Sequence, residues 1–136
     1  MKANGFILAA GRGARLKPLT DRKPKPLIPV AGKPAISYAL AALRALEIAE
    51  VVINTHYLAS KIEEELGSGE AWGLGIRYSH ERELLGTAGG LKKGAKKLTD
   101  PTLPLVVLSG DVIFNADLEK MWRYHTLKKA KFTVGV

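Results

Sequence analysis

The chain alternates between short apolar runs and longer segments whose apolar residues recur at helical spacing. The apolar runs, each short enough to be a buried strand, lie at residues 5–10, 51–53, 74–78, 105–108 and 132–136. Helical spacing is found over residues 36–46, 58–66, 91–98 and 118–125. Strands that alternate with helices in this way form βαβ units. We therefore predict an α/β fold with a mostly parallel sheet and helices on both faces.

One segment departs from this pattern. Residues 11–34 contain five prolines and three glycines together with a series of Lys and Arg residues. Proline removes backbone donors and clashes with the preceding helical turn, so this segment cannot be one long helix. It is predicted to be a long, stiffened, basic loop, and long loops in compact domains are usually functional.

Three polar segments begin where predicted strands end. They lie at residues 11–26, 80–88 and 109–114. In open parallel sheets, ligands bind just outside the carboxyl ends of the strands. The sequence therefore predicts a binding site at that edge of the sheet, built from these three segments.

Composition narrows the functional classes. The 136 residues are enough for one domain with its own core, so residues 1–136 are predicted to form a single domain. Lys and Arg number 21 against 13 Asp and Glu, which gives a formal charge of +8 and favours anionic ligands. The absence of cysteine excludes disulfides and thiolate sites and favours a cytoplasmic protein. The apolar stretches are too short to span a bilayer, so no membrane partner is expected.

The start of the proline-rich loop carries the residue types that surround a polyphosphate. Gly11 and Gly13 let the backbone approach a ligand and direct N–H groups at phosphate oxygens. Arg15 offers a planar fork to two oxygens, and Lys25 stands between two prolines that limit its freedom. Two general phosphate motifs fit poorly. The dinucleotide fingerprint would place Leu16 where it needs Gly or Ala, and the sequence has no Walker A loop.

Residues 8–26 resemble the signature of the sugar-1-phosphate nucleotidylyltransferases, which make NDP-sugars such as GDP-mannose, dTDP-glucose and UDP-sugars. Two later segments, residues 85–90 and 109–112, agree with that family in order and spacing. The resemblance implies a Rossmann-like sheet of the nucleotide-diphospho-sugar transferase type. It also implies transfer of a nucleotidyl group from an NTP to a sugar 1-phosphate, with Mg²⁺ as cofactor and pyrophosphate as product. The base and the sugar stay open.

The resemblance also implies roles for individual residues. Arg15 would bind the leaving pyrophosphate, Lys25 would bind the reacting phosphates, and Asp111 would hold Mg²⁺. Glu81 lies where a base-reading side chain is expected, and its carboxylate could accept hydrogen bonds from guanine. Ala14 stands where the family often has Thr or Ser, so its contact would come from the backbone N–H. The other implied nucleotide-binding residues are Leu8, Ala10, Gly11, Gly13, Gly86 and Thr87.

The family's catalytic domains continue beyond the length of this chain, and that part supplies most of the sugar-phosphate pocket and a second metal-binding Asp. We therefore expect a truncated domain that lacks the usual C-terminal acceptor-binding portion. A non-catalytic nucleotide-binding or regulatory module, or an inactive fragment of the same fold, is the alternative. A basic RNA-binding domain is not favoured, because no aromatic stacking platform accompanies the lysine clusters. A homo-oligomer stays open.

Overall fold

The computed structural model describes residues 2–135. The main sheet contains the strands β1 (Asn4–Leu8), β4 (Glu50–Thr55), β5 (Gly75–His80) and β6 (Leu105–Ser109). A separate two-stranded ribbon consists of β2 (Pro29–Val30) and β3 (Lys33–Pro34). The helices are α1 (Ile36–Ala45), α2 (Ala59–Leu66), α3 (Gly86–Ala95) and α4 (Leu118–Lys128). The alternation of strands and helices confirms the predicted α/β fold.

The main sheet is entirely parallel, with the strand order β5-β4-β1-β6. The chain builds outward from β1 through β4 to β5, and then returns to the other side of β1 to form β6. This reversal creates a topological switch point between β1 and β6, which is where ligands bind in open α/β sheets. The predicted Rossmann-like, mostly parallel sheet is therefore confirmed, and its topology places the candidate site.

Helices cover both faces of the sheet. Successive strand residues point to opposite faces, so Phe6 and Ile7 contact different helices. Ile7 is fully buried in the core formed with α1, α2 and α4, which includes Leu43 and Ile62. Helix α3 covers the opposite face, and at Gly94 an added Cβ would lie 2.4 Å from a ring carbon of Phe6. Burial on both faces explains why β1 and β4 contain continuous apolar runs.

The proline-rich segment between β1 and α1 is a loop, as the sequence predicted. It contains three single-turn 3₁₀ helices, Ala14–Leu16, Leu19–Asp21 and Lys25–Leu27, followed by the ribbon of β2 and β3. The ribbon was not predicted, because it consists of only two residue pairs. Short turns and a short ribbon suit a segment in which proline interrupts any longer regular structure.

The predicted strand at residues 132–136 is wrong for the residues that the structure describes. Residues 132–135 form no strand, and Val136 lies outside the described part of the chain. Phe132 is 89% exposed and Val134 is 78% exposed. A strand needs a neighbour to complete its backbone hydrogen bonds, and residues 132–135 pair with none of the described strands. Apolar and β-branched composition does not supply that neighbour.

Candidate functional site

A cavity of about 280 Å³ lies at the carboxyl edge of the main sheet. It is bounded by the segments that follow β1, β5 and β6, by the end of β4 and by part of the proline-rich loop. The lining residues are Leu8, Ala9, Ala10, Gly11, Lys25, Pro26, Asn54, Glu81, Leu84, Gly86, Thr87, Ser109 and Asp111. The cavity therefore lies where the sequence placed the site, and it brings all three polar segments together.

Most of the residues predicted for the site line this cavity, but three do not. Gly13, Ala14 and Arg15 lie in the proline-rich loop outside the cavity lining, and Arg15 is exposed. A larger hollow of about 620 Å³ lies between the end of α1 and the start of α4, and none of the predicted site residues line it. The cavity at the strand ends is therefore the candidate site, and Arg15 is not among its lining residues.

Lys25 and Asp111 face each other at the edge of the cavity. Lys25 Nζ lies 2.6 Å from Asp111 Oδ2, and Ser109 Oγ donates a hydrogen bond to Asp111 Oδ1 at 2.5 Å. Burial raises the pKa of Asp111, but the hydrogen bonds from Lys25 and Ser109 and the lysine charge outweigh it, so the pKa lies below its usual value. The site thus holds a fixed cation beside a stabilised carboxylate.

Asp111 has the chemistry of a Mg²⁺ ligand. Its side chain is 25% exposed, which leaves water access to the carboxylate. Within residues 2–135, no group of three or more His, Asp or Glu side chains could enclose a metal ion. Mg²⁺ keeps several waters and binds through one or two carboxylates plus substrate phosphates, so a single carboxylate beside a phosphate site fits it.

Gly13 and Thr20 shape the proline-rich loop beside Lys25. Gly13 has a φ of +63°, and an added Cβ would lie 2.9 Å from Thr20 Cγ2 and 3.0 Å from Lys25 Cβ. Thr20 is 1% exposed, and its hydroxyl donates to the Gly13 carbonyl oxygen at 2.9 Å. Both the left-handed conformation and the lack of space therefore require glycine at position 13. A side chain there would crowd both Thr20 and Lys25.

The segment after β4 braces residues 20–22 of the same loop. The Tyr57 hydroxyl donates to the Thr20 carbonyl oxygen at 2.8 Å, and Lys61 Nζ on α2 donates to the Arg22 carbonyl oxygen. Both bonds end on backbone atoms of the loop, so they fix its path without depending on its side chains. Neither Tyr57 nor Lys61 was identified from the sequence, because neither belongs to a recognisable motif.

Glu81 is buried in the wall of the cavity and is 1% exposed. Its Oε1 accepts a hydrogen bond from Asn54 Nδ2 at 2.8 Å, and its Oε2 accepts one from the Leu85 N–H at 3.0 Å. Both oxygens are engaged within the protein, so this geometry does not support the predicted contact with guanine. Asn54 was missed by the sequence analysis, although a polar residue at the end of an apolar strand was an available signal.

Helix α3 begins at the cavity, opposite the loop that follows β1. Its first residue, Gly86, has a φ of +70°, and no side chain caps its first turn. Gly86 and Thr87 both line the cavity. The first backbone N–H groups of a helix lack intrahelical partners and attract anions. The arrangement therefore suits a phosphorylated ligand placed between the two glycine-containing segments.

Comparison with known proteins agrees with this geometry. The sequence profile of a family described as nucleotidyl transferase matches residues 4–136. The chain belongs to the nucleotidyl transferase family. Mannose-1-phosphate guanylyltransferase of Mycobacterium tuberculosis is 38% identical over 133 residues. N-acetylmuramate alpha-1-phosphate uridylyltransferase of Neisseria meningitidis serogroup B is 47% identical over 118 residues. Both of these relatives are sugar-1-phosphate nucleotidyltransferases by name.

The matched region is only part of each relative. The two alignments cover 98% and 86% of this chain, but 36% and 49% of the relatives. A solved structure described as a glucose-1-phosphate thymidylyltransferase of Bacillus anthracis, in complex with a sucrose, matches with a TM-score of 0.85 at 30% identity. That match covers 93% of this chain and 51% of the other. The chain thus spans about half or less of the length of these family members.

Across residues 2–135, no helix is long and apolar enough to cross a membrane.

Proposed function

We propose that this chain forms the nucleotide-binding part of a sugar-1-phosphate nucleotidylyltransferase. In the proposed reaction, a phosphate oxygen of a sugar 1-phosphate forms a bond to the α-phosphorus of an NTP. The bond between that phosphorus and the bridging oxygen to the β-phosphate breaks, and pyrophosphate leaves. The products are an NDP-sugar and pyrophosphate.

The observation that carries this proposal is the position of Lys25 and Asp111 at the switch point. The two side chains meet at 2.6 Å on the cavity edge, between the loop after β1 and the segment after β6. A fixed ammonium beside a charged carboxylate is the pair needed to bind phosphate oxygens and their counter-cation. The uncapped start of α3 across the cavity adds backbone N–H donors for the same ligand.

The proposed reaction requires positioning and charge stabilisation rather than a protein nucleophile. The attacking phosphate is already an anion, so no strong base is needed to activate it. We assign the reacting phosphates to Lys25, which lines the cavity, and the leaving pyrophosphate to Arg15, which is exposed on the proline-rich loop. Asp111 is the residue that would hold Mg²⁺, which when bound would neutralise charge on the phosphates.

Product formation tests the proposal directly. The purified chain would be mixed with each of the common NTPs, Mg²⁺ and a panel of sugar 1-phosphates, and pyrophosphate release would be measured. We expect release with at least one pair of substrates, and NTP binding by calorimetry in the absence of the sugar phosphate. The proposal fails if the folded chain neither binds any NTP nor releases pyrophosphate.

A second candidate function is nucleotide binding without turnover, as in a regulatory module or an inactive fragment of the same fold. Its support is that the chain spans only 36% and 49% of the two relatives described above. NTP binding without pyrophosphate release from any sugar 1-phosphate would favour it over the catalytic proposal. A cytoplasmic location stays a prediction, and the oligomeric state stays open.

A further inference from the structure

Two buried polar side chains connect the two walls of the cavity. Asn54 Oδ1 accepts a hydrogen bond from the Ala9 N–H at 2.8 Å, and Asn54 Nδ2 donates to Glu81 Oε1 at 2.8 Å. Glu81 Oε2 then accepts from the Leu85 N–H at 3.0 Å. Ala9 belongs to the loop after β1, whereas Leu85 directly precedes α3. One continuous series of three hydrogen bonds therefore joins the two loops.

This pair is enclosed by the fold. Asn54 is 3% exposed and Glu81 is 1% exposed. An added Cβ at Gly90 would lie 2.6 Å from Glu81 Oε1 and 2.7 Å from Asn54 Nδ2, so α3 closes over the pair with no room for a side chain. A buried polar atom that loses its partner cannot turn to water instead, which makes each of the three bonds costly to break.

The backbone of Glu81 is fixed as well. Its N–H donates to the Thr55 carbonyl oxygen at 2.7 Å, and its own carbonyl oxygen lies 2.8 Å from His56 Nδ1. The carboxylate thus extends from a strand end that is itself bonded to the neighbouring strand. A shift of either loop would have to break a bond of the series, because Glu81 cannot follow it.

The series requires one amide and one carboxylate. The Ala9 and Leu85 backbones each present an N–H donor, so both ends of the series must accept. Asn54 can accept from Ala9 with its oxygen and donate to Glu81 with its nitrogen. Glu81 accepts at both of its oxygens. Apolar residues of similar size could fill the same space, but they could not link the two N–H groups.

We propose that Asn54 and Glu81 are positioning residues, which hold the loop after β1 and the start of α3 at the spacing that an NTP requires. The inference rests on the proposed nucleotide-binding function. It gives Glu81 a role inside the protein in place of the predicted contact with the base. It also assigns a role to Asn54, which no motif in the sequence contains.

Exchange of the two functional groups is the sharpest test. In Glu81→Gln, one acceptor becomes a donor, so one end of the series must place a donor against a donor. In Asn54→Asp, two carboxylates face each other. The double variant Asn54→Asp/Glu81→Gln restores all three hydrogen bonds, and the bond between residues 54 and 81 then runs in the opposite direction. The new aspartate accepts from the Ala9 N–H and from the new glutamine amide, whose oxygen accepts from the Leu85 N–H.

The binding measurement uses an NTP that the unmodified chain binds, at a temperature at which all variants are folded by circular dichroism. Each single variant is expected to bind it about 10-fold more weakly, the scale set by one buried group left unpaired. The double variant should recover most of that loss. Ser79→Ala is the matched control, because Ser79 is 1% exposed beside Asn54 in the sheet and its hydroxyl has no hydrogen-bond partner within residues 2–135. Its affinity should not change.

Amide hydrogen exchange in the absence of nucleotide separates this inference from the proposed function. The Ala9 and Leu85 amides should exchange slowly in the unmodified chain and in the double variant, and at least one of them faster in each single variant. If the unmodified chain binds no NTP, the proposed function is contradicted. The exchange rates still show whether the series of hydrogen bonds joins the two loops. Single variants with unchanged exchange rates, or a double variant that recovers neither exchange nor binding, would overturn the inference.

Discussion

Lys25 Nζ lies 2.6 Å from Asp111 Oδ2, and this contact joins the proline-rich loop to the segment after β6. These two segments follow the strands that border the switch point of the sheet. The cation proposed for the phosphates and the carboxylate proposed for Mg²⁺ therefore satisfy each other. A ligand that engages both groups has to replace this ion pair with contacts of its own. The ion pair keeps both side chains at the cavity edge.

Replacing Lys25 by alanine should weaken triphosphate binding or turnover by about 2–4 kcal/mol, the scale of one lost electrostatic donor in a preorganised site. The NTP dissociation constant and the rate of pyrophosphate release measure this effect. Lys23→Ala is the matched control, since Lys23 belongs to the same loop but is exposed and does not line the cavity. If both variants bind and turn over NTP equally well, Lys25 does not bind the reacting phosphates.

The lowered pKa of Asp111 predicts how stability depends on pH. A carboxyl group whose pKa in the folded state lies below its ordinary value of 3.8 stabilises the fold above that value, and this contribution is lost as the pH falls through the folded-state pKa. Asp111→Asn removes the titrating group. Free energies of unfolding from urea titrations should differ between the two proteins at neutral pH and converge below pH 3.8. A difference that stays constant over this range would contradict the lowered pKa.

The order of the elements could be predicted because a strand that is buried on both faces is a continuous run of apolar residues in the sequence. The run at residues 51–53 is continuously apolar for that reason and lies in β4, whereas the run at residues 105–108 forms most of the edge strand β6, where Val107 is 38% exposed. The run at residues 132–136 has a similar composition, but residues 132–135 form no strand. A strand depends on a partner at a distant position, and composition carries no information about that partner.

Residues of the candidate site could be predicted only where each belongs to a local sequence motif. Gly11, Lys25 and Asp111 lie in motifs that follow strands, and the structure brings all three to one cavity. Asn54 and Tyr57 act through hydrogen bonds to backbone atoms of other segments, which depend on the packing of the whole fold. Such contacts leave no local pattern, so only the structure reveals them.

Tyr57→Phe should destabilise the chain by about 0.5–1.5 kcal/mol, because it removes the hydrogen bond to the Thr20 carbonyl oxygen. The affected loop carries Lys25, so NTP affinity should fall as well. Urea unfolding gives the first quantity and calorimetry the second. Tyr124→Phe serves as the control, since Tyr124 lies on α4 and is 56% exposed. If the Tyr57 variant is as stable as the control and binds NTP equally well, the hydrogen bond from Tyr57 to Thr20 stabilises neither the fold nor the site.

Gly94→Ala tests how closely α3 must approach the sheet. The new Cβ would lie 2.4 Å and 2.7 Å from two ring carbons of Phe6, which is fully buried and cannot turn away. Alanine favours a helix over glycine by about 1 kcal/mol, but overpacking of this kind costs roughly 1–3 kcal/mol, so we expect a net loss of stability in urea unfolding.

The same substitution should also reach the site, because α3 carries Gly86 and Thr87 to the cavity and covers Asn54 and Glu81 through Gly90. A helix pushed away from the sheet would carry the start of α3 away from the loop after β1, and NTP binding should weaken with stability. Gly75→Ala is the control, since its new Cβ would meet only the Ala49 carbonyl oxygen at an ordinary 3.5 Å. Equal stability and equal NTP affinity in the two variants would mean that the spacing between α3 and the sheet is not critical for the site.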